Sequence, residues 1–347
     1  MFDYLLILVI KYLIKKNLEK NIAMLMENKT DSIFMWFVLI IVSIIVFGSF
    51  INTKIDGYER AMFDEMIIGR AHKPFVYRCF IPVLTKGTYY ILPEQIKHSL
   101  NILSEKKHFV SPYFFLTAIF WYLSILGFAF SLKKLAQFIY NLKEFISLTI
   151  AIIGVAGIPI FFKYYSYIYD LPQLFLFTLS LYFLVKARWN FYLLALFLST
   201  MNKETSILLI FVFFIHYKNI LSNSLFRRLL KYQFLIFISV TLLIRLYFYN
   251  NPGTLVEFQL FHNLSLEPYS VSQFISFIII GIAIYFDWEN KPHFLRSAFY
   301  MIIPLLLLTL FLGFIDEYRD YYEVYPVIIL LVFHSIQKLF HGQKNYL

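Results

Sequence analysis

Four polar segments of the sequence contain the residue types that could carry out a reaction. They lie at 52–78, 163–170, 202–206 and 316–323, and long apolar stretches separate them. A carboxylate can take a proton from a hydroxyl group, and an arginine or lysine can neutralise a departing phosphate. The segments supply both kinds of side chain, namely the carboxylates Asp56, Glu59, Asp64, Glu65, Asp170, Asp316 and Asp320, and the cations Arg78, Lys203 and Arg319. This set suits sugar transfer from a lipid phosphate, although other reactions use the same residue types.

The composition indicates that these segments belong to a membrane protein. Of the 347 residues, 60% are hydrophobic, 21% are aromatic and only 15% are charged, an apolar share larger than a soluble core uses. Apolar runs long enough to cross a hydrocarbon layer of about 30 Å recur along the chain. The clearest are 33–51, 113–131, 145–162, 233–249, 271–287, 298–315 and 324–340. Since none alternates with a period of two residues, the sequence predicts an all-α, polytopic transmembrane helical bundle rather than a membrane barrel.

Three shorter apolar runs, 171–185, 190–201 and 207–217, raise the predicted number of crossings to about ten. Both chain ends are then expected in the cytoplasm. Basic residues concentrate in the loops that this topology places inside, as the positive-inside rule requires. All four polar segments fall on the opposite face, so the sequence predicts one outward-facing site at the ends of the helices.

The predicted organisation is a single transmembrane domain at 33–340. The preceding cytoplasmic segment, 1–32, has an apolar stretch too short to span a membrane, so it is expected to form an interfacial amphipathic helix or to precede the true start. A first external loop at 52–112 is expected to contain a juxtamembrane helix at 75–92. A cytoplasmic tail is assigned to 341–347.

The net charge of +10 is spread over short loops between apolar runs, so it is interpreted as a signal that orients the chain in the membrane. No nucleic-acid motif accompanies it, and no nucleic-acid partner is predicted. The single cysteine, Cys79, excludes an intramolecular disulfide and a cysteine metal cluster. No spacing of histidines or aspartates forms a metal signature. No metal site or cofactor is therefore predicted, while the carboxylates keep a divalent cation open as an alternative.

Lys203 and Glu204 are adjacent charges in a stretch that is otherwise almost wholly apolar from 191 to 215. One interpretation is an ordinary solvated turn, with Asn202 capping the second helix and Glu204 near the positive end of that helix. The other follows from helix length, because helices of about twelve residues do not fully cross a membrane. The turn would then lie below the membrane surface, where an unpaired ion is costly and usually functional.

Taken in order, the polar segments resemble elements of the bacterial polytopic glycosyltransferases of the GT-C fold. The first external loop is similar to a D-x-Y…A…G…P-F-x-Y-R…P pattern, and later elements look like YD-LP, NKET and E-x-R…P. The matching positions are Asp56, Tyr58, Ala61, Gly69, Pro74, Phe75, Tyr77, Arg78 and Pro82, then 169–172 and 202–205, then Glu317, Arg319 and Pro326. The likeness covers most of the chain from residue 33 onward.

The resemblance implies a polyprenyl-phosphate sugar donor, a glycan, lipid or protein acceptor, and a site on the outer face of the bacterial plasma membrane. It also implies an acidic catalytic base in the first external loop. Asp56 matches best, but the chain lacks an Asp-x-Asp or Asp-Glu pair directly after the first helix, so Asp64 and Asp170 remain candidates. The residues expected to bind substrate are Tyr58, Glu65, Tyr77, Arg78, Tyr169, Asn202, Lys203, Glu204, Glu317 and Arg319. Among them, the three cations are expected to meet the donor phosphate, with Glu204 holding Lys203 or capping its helix.

Other interpretations stay open at this point. A polymerase of oligosaccharide repeat units would need similar external cations. A flippase or transporter of lipid-linked glycans would need polar residues deep within the helices, where the sequence offers little besides Arg245. Single residues also have structural alternatives: Asp56 as a loop cap, Arg78 extending toward lipid headgroups, and the tyrosines as an interfacial aromatic belt.

Overall fold

A computed structural model describes residues 29–53, 55–107, 111–162, 164–254, 256, 258–265 and 271–341. Throughout these residues the regular elements are helices, and no extended strand pairing forms a sheet. The all-α prediction is therefore confirmed. The predicted interfacial helix near the N-terminus and the tail beyond residue 341 lie outside the described residues.

Fifteen α-helices make up the described chain, and short 3₁₀ turns lie between several of them. In chain order they are α1 (Lys29–Ile51), α2 (Phe63–Ile68), α3 (Phe80–Ile91), α4 (Glu94–Lys107), α5 (Tyr113–Tyr140), α6 (Glu144–Ala156), α7 (Asp170–Val185), α8 (Trp189–Asn202), α9 (Ile207–Tyr217), α10 (Asn223–Tyr247), α11 (Leu260–Leu264), α12 (Val271–Tyr285), α13 (His293–Phe299), α14 (Ile302–Leu312) and α15 (Tyr325–His341).

Five helical segments are long and apolar enough to cross a membrane by length and composition. They are Ser32–Ile51, Tyr113–Tyr140, Glu144–Phe161, Asn223–Tyr247 and His293–Leu312. Four more described segments are apolar but shorter, with 10–17 residues each. The structure thus supports a membrane-type helical fold. It establishes five candidate spans, and the expected total of about ten goes beyond this finding.

The packing of α5 positions the segment that precedes α7. Trp121 of α5 is fully buried, and its ring contacts Phe50 of α1 and Phe63 of α2 at centroid distances of 5.2 and 6.0 Å. Its indole nitrogen donates a hydrogen bond of 2.9 Å to the carbonyl oxygen of Ile168. Because a buried indole N–H needs an acceptor, this bond fixes the backbone between Tyr167 and Tyr169 against the core.

A second set of contacts holds the loop before α3 against the end of α10. The Asn251 side chain donates hydrogen bonds of 2.9 and 3.0 Å to the carbonyl oxygens of Gly69 and Ala71. The amide of Lys73 donates to the carbonyl oxygen of Pro252 at 2.8 Å. Gly69 has a φ of 83°, a left-handed conformation that a side chain would oppose. These bonds order the short segment that leads to Phe75 and Arg78.

The charged turn between α8 and α9 is a local break in helical geometry. α8 ends at Asn202, and Lys203 is extended, with φ −158° and ψ 138°. A 3₁₀ turn over Glu204–Ser206 then leads into α9. The two short helices predicted on either side of NKETS are confirmed. The break between them points consecutive side chains in different directions. This geometry lets Asn202, Lys203 and Glu204 reach three different partners.

Candidate functional site

Parts of all four polar segments come together at one place in the fold. The contacts join Arg78 from the first loop, Tyr169 before α7, the NKETS turn, and the segment before α15. Three ion pairs define what is called here the ion-pair site: Arg78–Glu204, Lys203–Glu323 and Arg319–Glu317. Residues far apart in sequence therefore form one connected group of charges.

Arg78 is held by a carboxylate and by aromatic rings. Its Nη2 lies 3.2 Å from Oε1 of Glu204, and its Nη1 donates to the hydroxyl of Tyr169. The guanidinium carbon also lies 4.2 Å from the ring centre of Tyr169 and 5.3 Å from that of Phe75. The Arg78 side chain is only 12% exposed. It therefore lies inside the ion-pair site, which is not the headgroup-facing alternative considered from the sequence.

Arg319 is bound in a similar way. Its Nε donates to Oε2 of Glu317 at 2.8 Å, and its Nη1 donates to the carbonyl oxygen of Tyr165 at 3.0 Å. The guanidinium carbon lies 4.2 Å from the ring centre of Tyr167. Burial raises the pKa of Glu317 to about 7, against the opposing effect of Arg319. This carboxyl therefore titrates near neutral pH.

Two stacked tyrosines connect the arginines. The rings of Tyr167 and Tyr169 are nearly parallel, at 7°, with centroids 5.3 Å apart. Arg319 contacts the first ring and Arg78 the second, so two guanidinium groups share one aromatic pair. Cation–π contacts of this kind are worth about 2 kcal/mol or more when the cation is desolvated. Burial raises the pKa of Tyr167 to about 12, which keeps its phenol neutral.

Lys203 pairs with Glu323 rather than with its sequence neighbour. Its Nζ lies 3.4 Å from Oε1 of Glu323, a residue that is fully buried just before α15. The same oxygen accepts hydrogen bonds from Nε2 of Gln173, at 3.2 Å, and from the hydroxyl of Thr205. Lys203 itself is only 7% exposed. The solvated-turn interpretation is therefore wrong for this side chain.

Asn202 connects this network to the tyrosines. Its amide nitrogen donates to the carbonyl oxygen of Tyr169 and to Oε1 of Gln173, both at 3.0 Å. The expected helix cap is not formed, because the amide is used in these contacts and the turn after Lys203 has no side-chain cap. Glu204, predicted to hold Lys203, instead pairs with Arg78. Both differences arise because α8 ends at Asn202 and the chain changes direction at Lys203.

Asp170 lies among the three cations. It is 3% exposed, and its Oδ2 accepts a hydrogen bond of 2.8 Å from the amide of Tyr167. Arg319, Lys203 and Arg78 are all close enough to interact electrostatically with its carboxylate. Of the three predicted base candidates, Asp170 is thus the one surrounded by the predicted cations.

Asp56, Asp64 and Glu65 form a separate acidic group around α2. Asp56 is exposed, and its carboxylate accepts a hydrogen bond from the amide of Phe63, the first residue of that helix. Burial raises the pKa of Asp64, and the charges of Asp56 and Glu65 add to this effect. The loop-cap alternative for Asp56 is therefore realised in the structure.

Tyr58 links the first loop to the aromatic part of the site. Its ring lies 5.4 Å from that of Phe75 and 6.1 Å from that of Tyr165, measured between centroids. Phe75 in turn contacts the ring of Tyr167 at 5.5 Å. The described tyrosines of 163–170 thus line the ion-pair site. Their role goes beyond the interfacial aromatic belt that was the alternative interpretation.

Tyr77 lies beside the site, at a small cavity of about 20 Å³. Glu204 borders the same cavity, where its side chain is 39% exposed, together with Arg245 of α10. The Arg245 guanidinium lies 5.8 Å from the ring centre of Tyr77. Burial raises the pKa of this tyrosine despite the nearby arginine. The cavity has room for about one water molecule.

An apolar groove begins next to the charged turn. It lies between α9 and α14, has a volume of about 480 Å³, and presents almost no polar surface. Its first lining residue, Ile207, directly follows the Glu204–Ser206 turn. The other lining residues are Leu208, Phe211, Pro304, Leu307, Leu308, Phe311 and Leu312. A molecule with a charged head and a long apolar tail would match this combination of surfaces.

Four residues of the site were not predicted to bind substrate or take part in catalysis: Glu323, Gln173, Thr205 and Tyr167. Signals for them were present, because Glu323 ends the polar segment 316–323 and Gln173 directly follows Leu171–Pro172. A glutamate and a glutamine at the boundaries of apolar helices are candidates for buried hydrogen bonding. Their partners could be identified only from the three-dimensional arrangement.

The described residues contain no group of three or more His, Cys, Asp or Glu side chains arranged to hold a metal ion. Comparisons of the chain with protein-family models, curated proteins and solved structures found no match. The function is therefore argued from the geometry and chemistry of the ion-pair site.

Proposed function

We propose that this chain is a membrane glycosyltransferase that moves a sugar from a polyprenyl-phosphate donor to a glycan, lipid or protein acceptor. The observation that supports it best is the apolar groove beside the charged turn. Ile207 at the start of the groove is only four positions after Lys203, which carries a buried cation. A lipid phosphate bound with its chain in the groove would bring its headgroup to the ion-pair site.

Each part of the proposed reaction has a candidate side chain. Lys203 faces the donor phosphate and stabilises the negative charge that develops as the glycosidic bond breaks. Tyr165, which is partly exposed and lies beside Tyr58, offers aromatic surface to the apolar face of a sugar ring. We assign the role of base to Asp170, because its carboxylate lies with the cations, whereas that of Asp56 accepts a bond from the amide of Phe63.

The proposal includes a topology. About ten helices would cross the plasma membrane of a bacterium, with both ends in the cytoplasm and the ion-pair site outside. In this arrangement the charged turn would lie below the outer membrane surface, because the helices on either side of it have 14 and 11 residues and are too short to cross fully. One of the alternatives that the sequence left open, a polymerase of oligosaccharide repeat units, would bind a similar lipid-phosphate headgroup with the same cations.

A flippase or transporter of lipid-linked glycans is the second candidate function. Three ion pairs at one place in the fold favour it, because such pairs can exchange partners between two conformations. Sugar transfer distinguishes the two functions, since a flippase moves the donor without breaking its glycosidic bond.

Purified protein in lipid nanodiscs, supplied with a labelled polyprenyl-phosphate sugar, should release labelled sugar to an acceptor. Lys203→Met should lower the rate about a hundredfold, the effect of losing a preorganised charge-stabilising contact of about 3 kcal/mol. Lys203→Arg should be intermediate, because it retains the charge but changes the shape. Lys218→Met, at an exposed lysine after α9, is the matched control. Parental turnover in Lys203→Met would contradict the proposal.

A further inference from the structure

The three cations of the ion-pair site differ in how firmly they are held. Arg78 has a carboxylate, a phenol hydroxyl and two aromatic rings as partners. Arg319 has a carboxylate contacted by two of its nitrogens, a backbone carbonyl and an aromatic ring. Lys203 has one ion pair, with Glu323 at 3.4 Å, and longer-range electrostatic interactions with Asp170 and Glu204. Lys203 is therefore the cation that can change partners with the least loss of interactions.

Glu323 would keep two of its contacts after such a change. Its Oε1 accepts hydrogen bonds from Gln173 and Thr205 in addition to its contact with Lys203. If Lys203 moved away, these two donors would still stabilise the carboxylate. Both donors are neutral, so the departure of Lys203 would leave the buried charge of Glu323 without a cation, which is costly. Glu323 therefore competes for Lys203.

The backbone at Lys203 is not helical. It lies at the extended joint between α8 and the 3₁₀ turn, so its backbone is outside the rigid helical segments. An ammonium group on a flexible four-carbon stem can swing between acceptors, whereas the planar guanidinium groups of Arg78 and Arg319 are fixed by stacking. The apolar groove begins at Ile207, so the phosphate headgroup of a lipid whose chain lies in the groove would arrive next to this joint.

We propose that Lys203 exchanges between Glu323 and the phosphate of a lipid monophosphate, so that Glu323 is a positioning residue that competes with the ligand. Before the exchange, the pair with Glu323 fixes the direction of the Lys203 side chain. On binding, the phosphate replaces the carboxylate as the partner of Lys203, while Arg78 and Arg319 keep their own glutamates. The exchange leaves Glu323 with its two neutral donors, and the loss of its ion pair with Lys203 opposes binding of the phosphate.

This inference rests on the phosphate site of the proposed function but not on sugar transfer. It is therefore tested by binding alone. The probe is farnesyl phosphate, titrated into the purified full-length protein in nanodiscs and followed calorimetrically. Farnesol tests the contribution of the tail, and inorganic phosphate tests that of the headgroup.

Glu323→Gln should tighten farnesyl phosphate binding about tenfold, which corresponds to about 1.4 kcal/mol, because the neutral amide no longer competes for Lys203. Lys203→Met should weaken binding at least tenfold. The double variant should bind like Lys203→Met, since Glu323 acts only through Lys203. Farnesol binding should be the same in all variants. If the substitutions change the affinity for farnesyl phosphate more than the affinity for inorganic phosphate, the ligand is a lipid phosphate.

A merely structural role for Glu323 makes a different prediction. Glu323→Gln would then weaken binding or leave it unchanged, and either result in folded protein would overturn the proposal. Glu323→Asp provides a second test if the glutamine variant does not fold, because the shorter side chain retracts the carboxylate from Lys203 and should also tighten binding. Unchanged or weaker binding in Glu323→Asp would likewise overturn it. If binding follows the prediction but no sugar is transferred, the glycosyltransferase proposal fails and the exchange of Lys203 stands.

Discussion

Glu204 forms its ion pair with Arg78, which lies 126 positions earlier in the chain, and not with Lys203, its neighbour in sequence. The extended conformation of Lys203 points the two side chains in different directions, so Lys203 reaches Glu323 and Glu204 reaches Arg78. As a result, every cation of the ion-pair site has its own glutamate, and Asp170 lies among them. An anionic ligand must therefore compete with carboxylates already in place.

The first prediction distinguishes two candidate bases. Asp170→Asn should lower sugar transfer about a hundredfold or more, because the amide keeps the shape but cannot accept a proton. Asp56→Asn should lower it less than about tenfold, since the amide oxygen can still accept the hydrogen bond from Phe63. Transfer rates of the two variants, measured at equal amounts of folded protein, decide between them. Loss of activity only in Asp56→Asn would return the role of base to the first loop.

The second prediction concerns pH and stability. Burial raises the pKa of Glu317 from its ordinary value of 4.5 to about 7, so the folded protein binds an extra proton between these values. The contribution of this proton to the free energy of unfolding is fully present below about pH 4.5, and it is lost as the pH rises through about 7. Thermal unfolding in detergent from pH 4 to 8 should therefore show a weaker decline in Glu317→Gln than in the parent.

Glu289→Gln is the control for the pH experiment. Glu289 also pairs with an arginine, Arg296 at 2.9 Å, but its side chain is 86% exposed. The same chemical change at this position should leave the pH dependence of unfolding unaltered. Parallel curves for the parent and Glu317→Gln would show that Glu317 titrates as an ordinary carboxyl.

The third prediction tests the connection between the charged turn and the tyrosines. Asn202→Ala removes the donor to the Tyr169 carbonyl and to Gln173, and leaves two buried acceptors without that partner. Each such loss costs about 1–3 kcal/mol, so the free energy of unfolding should fall by at least about 1 kcal/mol. Asn52→Ala, at an exposed asparagine after α1, should change it by less than about 0.5 kcal/mol. Equal stabilities of the two variants would contradict the network.

The fourth prediction tests topology by cysteine labelling in intact cells. The parent offers a low background, because its single cysteine, Cys79, is buried. Asp56→Cys should react with a membrane-impermeant thiol reagent added outside, whereas Arg228→Cys should react only after lysis. Both positions are exposed, so a difference in labelling reports their side of the membrane. Labelling of Arg228→Cys from outside would reverse the topology and place the ion-pair site in the cytoplasm.

The sequence by itself determined the helices and the polar segments between them. The long apolar runs in the described part of the chain form helices, because backbone hydrogen bonding and side-chain hydrophobicity are local properties. For the same reason, the two short helices around NKETS could be predicted, with bounds that the structure shifts by one residue at most. The apolar runs also indicated which charged residues lie next to membrane-type helices and are therefore candidates for a site.

Only the tertiary structure decided the partners of those charges. The pairs Arg78–Glu204 and Lys203–Glu323 join residues more than a hundred positions apart, which only the packing of the whole helical bundle brings together. The position of Asp170 among the cations, and the use of Asp56 by the amide of Phe63, depend equally on that packing. Charge attracts charge over several ångströms in any direction, so the sequence can name the ions but cannot specify which of them meet.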